Sequence, residues 1–252
     1  MALQTQSMKA SLSSYRDGLA DAAPATRARG GEIIDRVDTV VKEVATKQDG
    51  ITASNVLSDA GKSEADGALA NATASKLSFV KKEVSGLESD LAATQAVLYD
   101  VKPPAKVGAD PLLQFLYGKE IRDSYKGLTQ NEVDAAFVAA TQQDADEDSA
   151  DQEEQAVRDA IVWAMLQAPV PMVSETIRDR VLAERAQHQN PATWARLQQV
   201  DLLRENLSGL RETLVAWLTG LGGDPAVIFE ALGGTPPAES NIESARKMVQ
   251  HA

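Results

Sequence analysis

The chain has 252 residues, enough to bury a sizeable core in one large or two modest domains. It carries a formal charge of −12 and no cysteine. The charge opposes a general nucleic-acid binder, which needs basic groups to displace counterions from phosphate, and the missing thiols exclude disulfides, thiolate nucleophiles and zinc–thiolate sites. Aromatic residues make up only 4% of a composition rich in alanine, which suits helix–helix packing better than a β-sandwich.

Met8, Leu12, Tyr15, Leu19 and Ala22 step by four and three, predicting a first helix over about residues 2–22 that ends at Pro24. Ile33, Val37, Val40 and Val44 mark a second helix to about Lys47, with Gly30-Gly31 before it and Asp49-Gly50 as its stop. Ser54-Asn55 or Ser58-Asp59 supplies the next N-cap.

The longest regular pattern follows. Ala70, Leu77, Val84, Leu91 and Leu98 recur every seven residues, and Thr73, Val80, Leu87, Thr94 and Val101 form a second such series. Together they make the a/d stripe of a coiled-coil-like seam, on a helix of about 48 Å. A parallel homodimer through this seam would oppose Lys76 to Lys81 and Glu83 to Glu88, like against like. The first two helices of the same chain are better partners. The expected fold is therefore all-α, with an antiparallel three-helix coiled-coil-like bundle over residues 1–102.

Pro103 and Pro104 open a connector over 103–109, and a multi-helix C-terminal domain is expected over 110–252. Asp110-Pro111 is an N-cap and first turn, opening a helix expected to bury Leu112, Leu113, Phe115, Leu116 and Tyr117. Thr129 and Glu132 form a capping box ahead of Val133, Phe137 and Val138. An acidic loop spans 144–154; then Val157, Ile161, Val162, Met165 and Leu166 define a helix halted by Pro169 and Pro171. Ser174 caps the next helix, and Asn190-Pro191 opens a second long one. Its Val200, Leu203, Leu207, Leu210, Leu214, Trp217 and Leu221 again alternate threes and fours. Glycines 220, 222 and 223 end it, a short helix runs from Asp224-Pro225 to Gly233-Gly234, and a last helix is expected over 238–250.

Chemistry is hard to find in this pattern. Asp144, Asp146 and Asp148 match the first ligand positions of an EF-hand loop, but Ser149 replaces its glycine and Gln155 its bidentate glutamate. A solvated acidic loop, or a contact for a basic partner, is the better reading. His188 and His251 are expected to be exposed near helix ends. The two Leu-Gly-Gly sequences follow no strand and lack a P-loop lysine, so they read as helix C-caps. Ser-x-x-Lys at 78–81 and 244–247 lacks its companion motifs. No catalytic residue, cofactor site or metal site is assigned. The candidate interface positions are seam residues Val84, Leu87, Leu91 and Leu98 with Trp163, Trp194 and Trp217, although core packing is the expected use of most of them.

Residues 160–171 (AIVWAMLQAPVP), followed by a helix to Arg185 and Trp194 in the helix after that, carry one resemblance. This stretch resembles small helical proteins encoded in phages and prophages of GC-rich proteobacteria. The resemblance implies no activity and transfers no functional residue; it implies a virion or assembly component. The expectation is a non-enzymatic structural protein that packs by its helical seams against other subunits, self or foreign, in a larger complex. The alternative is an acidic adaptor or chaperone-like module for a basic protein. No run approaches the 18 apolar residues of a membrane span, and residues 1–15 lack an apolar signal core, so the cytoplasm of the producing cell is the expected location, with incorporation into a virion as its extension.

Overall fold

Pro24 does more than end a helix. In the computed structural model, which describes residues 2–141 and 152–234, it is the first residue of the second helix. Helix α1 (Ala2–Asp17) stops sooner than its apolar stripe, and residues 18–23 turn, with Leu19 and Ala22 still buried. Proline has no N–H to lose at a first helical turn, and its fixed φ suits that position. Helix α2 (Pro24–Ala53) then runs through Gly30-Gly31 and past Asp49-Gly50. Gly30 sits where two elements close in: a Cβ there would fall 2.3 Å from Leu19 Cδ1 and 3.0 Å from Leu203 Cδ1.

The seam helix is two helices. Ser58 caps α3 (Asp59–Lys76) by accepting from the Gly61 amide at 3.2 Å, and α4 (Ser78–Leu98) follows after a break at Leu77. Leu77 itself stays in the core, as do Ala70, Thr73, Val80, Val84 and Leu87. A 3-10 turn (Ala105–Val107) then leads to α5 (Pro111–Ser124), α6 (Gln130–Thr141), α7 (Gln152–Leu166), α8 (Glu175–Gln189), α9 (Pro191–Gly220) and α10 (Pro225–Leu232). The chain is all-helical, with no strand among the described residues. No helix among them is long and apolar enough to cross a membrane. Of the acidic loop expected over 144–154, residues 152–154 belong to the start of α7 and the rest lie outside the described residues, as do the expected helix over 238–250, His251 and the Ser244–Lys247 pair.

The chain divides into two units, Met1–Ala92 with Leu197–Ala252, and Ala93–Arg196. The division falls inside α4 and inside α9, so the connector at 103–109 lies within the second unit rather than between domains. The reason is the leucine stripe of α9. Leu203, Leu207, Leu210, Leu214, Leu218 and Leu221 are buried in the same cluster as the apolar faces of α1 to α4. Three helices over 1–102 therefore do not close the bundle alone; α9 and α10 complete its core.

Polar contacts fix how α9 lies in this first unit. Tyr15 and Thr213 share a 2.7 Å hydrogen bond, the Asn206 amide donates to the Tyr15 carbonyl at 3.0 Å, and the Ala23 amide donates to Gln199 Oε1 at 2.8 Å. Beyond α9, Gly222 turns with φ +90°, and the Asp224 amide donates to Asn71 Oδ1 at 2.8 Å. Gly67 of α3 meets this turn so closely that a Cβ would lie 2.7 Å from the Gly222 carbonyl oxygen. Gly86 of α4, by contrast, has open space around it. Gly67→Ala is expected to destabilise the protein by about 1–3 kcal/mol through overpacking against backbone. Gly86→Ala is expected to stabilise it by roughly 0.5–1 kcal/mol through helix propensity; urea unfolding of the two variants reads the opposite signs.

Candidate functional site

The second unit has a small core around Phe137 and Trp163, with Val133, Val162, Met165, Val181 and Leu182. Helix α5 is docked on it by a glycine. A Cβ at Gly118 would fall 3.2 Å and 3.4 Å from two ring carbons of Trp163 on α7, so the indole lies almost on the backbone of α5. The Arg122 guanidinium donates to the Ala164 carbonyl at 3.1 Å, and Lys106 stacks over the Tyr117 ring at 4.4 Å. The start of α5 is as expected, with Asp110 accepting from the amides of Leu112 at 2.9 Å and Leu113 at 3.4 Å.

Its burial is not as expected. Tyr117, Gly118 and Ile121 face the unit, while Leu112, Leu113, Phe115 and Leu116 keep 64%, 50%, 56% and 50% of their surface exposed. One turn of helix carries more apolar residues than a single buried stripe holds, and Gly118 and Tyr117 take the inner positions. The outer face is then a ridge at spacing i, i+3 and i+4 (Leu112, Phe115, Leu116) with Lys119 one turn on. Lys119 and Lys126 flank Asp123 at 2.8 Å and 2.7 Å, and their hydrogen bonds hold its carboxyl down at about 2.

On the same unit, α6 and α8 border a groove of about 480 Å³ lined by Asn131, Asp134, Ala135, Val138, Ala139 and Ile177. The capping box that starts α6 forms as expected: the Thr129 amide and hydroxyl both donate to Glu132 Oε2 at 2.8 Å, and the Glu132 amide donates back at 3.4 Å. Those bonds hold the Glu132 carboxyl below its ordinary value. Ser174 precedes α8 as expected but does not cap it with its side chain; Asp134 of α6 holds Ser174 instead. The Ser174 amide donates to Asp134 Oδ1 at 2.9 Å and its hydroxyl to Oδ2 at 2.7 Å. Burial pushes the Asp134 carboxyl up, but the Ser174 hydroxyl and amide and the Gln130 amide outweigh it, and the net shift is downward.

The candidate interface residues from the seams scatter. Val84, Leu87 and Trp217 are buried in the first unit and Trp163 in the second, while Leu91, Leu98 and Trp194 are half-buried. A second groove, of about 210 Å³ in the first unit, is lined by Ser7, Met8, Ser11, Thr213, Ala216 and Trp217 with Gly220. The buried Trp217 indole N–H has no hydrogen-bond partner among the described residues. His188 is exposed in the last turn of α8, and Lys81 donates to the Glu230 carbonyl at 3.0 Å rather than to Ser78. Both Leu-Gly-Gly sequences end helices, with positive φ at Gly222, Gly233 and Gly234. Among the described residues no three His, Asp or Glu side chains gather where they could hold a metal ion. The sequence pattern singled out neither the outer face of α5 nor Asp134; the excess of apolar residues between 112 and 117 was the signal available for the first.

No protein-family model, curated protein or solved structure matches the chain.

Two outcomes follow from this geometry. Phe115→Glu, on the exposed face, is expected to leave unfolding free energy within about 0.5 kcal/mol of the parent, whereas Phe137→Ala, fully buried, is expected to cost about 3–5 kcal/mol. Asp134→Asn is expected to cost about 1 kcal/mol at neutral pH, the usual worth of a helix cap. Because the folded carboxyl titrates below its ordinary value of 3.8, its contribution is full above that pH and is lost as pH falls through the folded value. The gap between parent and Asp134→Asn in denaturant midpoint should therefore close in acid, and a gap that widens there contradicts the capping role.

Proposed function

We propose that this chain is a non-enzymatic structural subunit that assembles with other protein subunits through the outer face of α5, with a virion as the setting suggested by the stretch 160–195. One observation carries the reading: four large apolar residues within five positions of one helix, Leu112, Leu113, Phe115 and Leu116, each keep half or more of their surface in water. Such a face leaves on the order of 400 Å² of apolar surface, the size of patch that monomers ordinarily keep for binding. Burying it in a partner is favourable at about 25 cal/mol per Å², which for the whole face is on the order of 10 kcal/mol before the costs of association.

The seam of residues 70–101 is spent largely on the core, the expected use of most of its positions. Its best positions lie in the core of the first unit, so the docking surface in this reading moves from the seam to α5. The second reading, an acidic adaptor for a basic protein, draws on the net charge of −12. It differs in its salt response, because contacts between exposed charges weaken as salt screens them and apolar contacts do not.

A photocrosslinking phenylalanine analogue at position 115, expressed in the producing cell, tests the reading. A crosslinked protein product is expected from position 115 and none from the same analogue at exposed Glu32 of α2. Absence of any protein crosslink at 115 overturns it. A product that forms in low salt and disappears in high salt transfers the support to the adaptor.

A further inference from the structure

The exposed ridge and the groove sit on one unit and match each other. The groove reads from polar to apolar along α6: Asn131 and Asp134 stand at its start, and Ala135, Val138 and Ala139 follow, with Ile177 of α8 on the opposite wall. The ridge reads from apolar to cationic along α5, from Leu112 through Phe115 and Leu116 to Lys119. The two have nearly the same length, about 10 Å for residues 112–119 and about 12 Å for 131–139 at 1.5 Å per residue. Laid antiparallel, large side chains meet small ones, and Lys119 comes to Asp134.

Resting on the reading of α5 as a docking face, we propose that its partner is a second copy of this chain: copies associate head to tail, each seating its α5 ridge in the α6–α8 groove of the next. Shape and charge both favour this occupant. Ala135 and Ala139 are exposed and lie one turn apart, so no large side chain of α6 fills the space between them and Ile177. Ridges of large residues seat in such channels. Asp134 holds its negative charge with three hydrogen-bond donors, and in this register it would face Lys119, which within one copy pairs with Asp123 at 2.8 Å on the exposed surface.

A symmetric pairing of two α5 ridges fits less well. In an antiparallel pair each Lys119 would fall on the other copy's Leu112 end, cation against leucine. Head-to-tail seating lets every copy use both surfaces. It does not fold back on itself, because α5 and α6 both pack on α7 and the ridge points away from α7. A contact of this type makes a ring where its rotation closes and a filament where it does not. The chain is strongly acidic, so copies repel at long range, and association should strengthen as salt screens that repulsion.

The test uses the full chain and two variants at exposed positions, Phe115→Glu in the ridge and Ala135→Arg in the groove, each checked for an unchanged unfolding midpoint. Light scattering behind size-exclusion chromatography follows mass against concentration. The parent is expected to pass beyond a dimer, and each variant alone to associate at least about thirtyfold more weakly, the size of effect of losing a central anchor. An equimolar mixture of the two variants is expected to form a heterodimer that grows no further, since it holds one intact ridge and one intact groove. A parent that stays monomeric at high concentration overturns the proposal while leaving the α5 reading to the crosslink at position 115. An Ala135→Arg chain that assembles like the parent overturns the groove and keeps the ridge. Assembly that ignores Phe115→Glu overturns both.

Discussion

The leucine stripe of α9 is the constraint from which the first unit takes its form. A chain with few aromatics has to build its core from aliphatic seams, and the seams of α1, α2 and α3–α4 together still leave room for another. Leu207, Leu210, Leu214 and Leu218 fill it, each fully buried. Burying a leucine is favourable by about 1.5–3 kcal/mol relative to leaving it in water, so four of them outweigh the modest entropy of closing the long excursion through residues 93–196, which grows only logarithmically with length. The hydrogen bonds from Tyr15, Asn206 and Gln199 add little net energy by comparison. Their part is to choose one register for a stripe whose leucines would otherwise slide by a turn.

The second unit solves the same problem with less material. Its core rests on Phe137 and Trp163, and Gly118 lets a single indole cover the inner side of α5. Once that side is satisfied, the remaining apolar residues of α5 have no inward position left. Cross-links by polar groups do the rest: Asp134 holds the start of α8 from α6, and Arg185 pairs with Asp159 across α8 and α7 at 2.9 Å. A unit held in this way can present a hydrophobic helix face without losing its fold, which separates what stabilises it from what it offers to others.

Local chemistry was the legible part of the sequence. The caps at Asp110, Thr129 and Asp224, the glycine ends of α9 and α10 and the heptad positions from Ala70 to Leu87 all depend on neighbours within a few residues, and all are found where spacing placed them. Long-range pairing was not legible. Periodicity says that α9 has an apolar stripe but not which stripe it meets, so a division near 102–109 looked natural and the discontinuous unit did not. Pro24 reads equally as the end of one helix or the beginning of another, and Gly30 reads as weakness until Leu19 and Leu203 are seen against it. The Asp134–Ser174 contact joins residues 40 apart and leaves no pattern in sequence. For α5, hydropathy marks the stretch 112–117 as largely apolar but does not say which side of the helix is already occupied.

The discontinuity of the first unit has a consequence for how the protein is made. Residues 93–196 are contiguous and leave the ribosome with every partner they need, whereas α1 to α4 leave it with one side of their core empty. At the usual 5–20 residues per second, roughly 5–20 s separate the emergence of residue 92 from that of residue 197. For that interval the nascent chain carries an open aliphatic trough, and helix α9, arriving late with α10 behind it, works as an internal chaperone that removes it from water. A truncated or stalled chain is then not a smaller version of this protein but a sticky one.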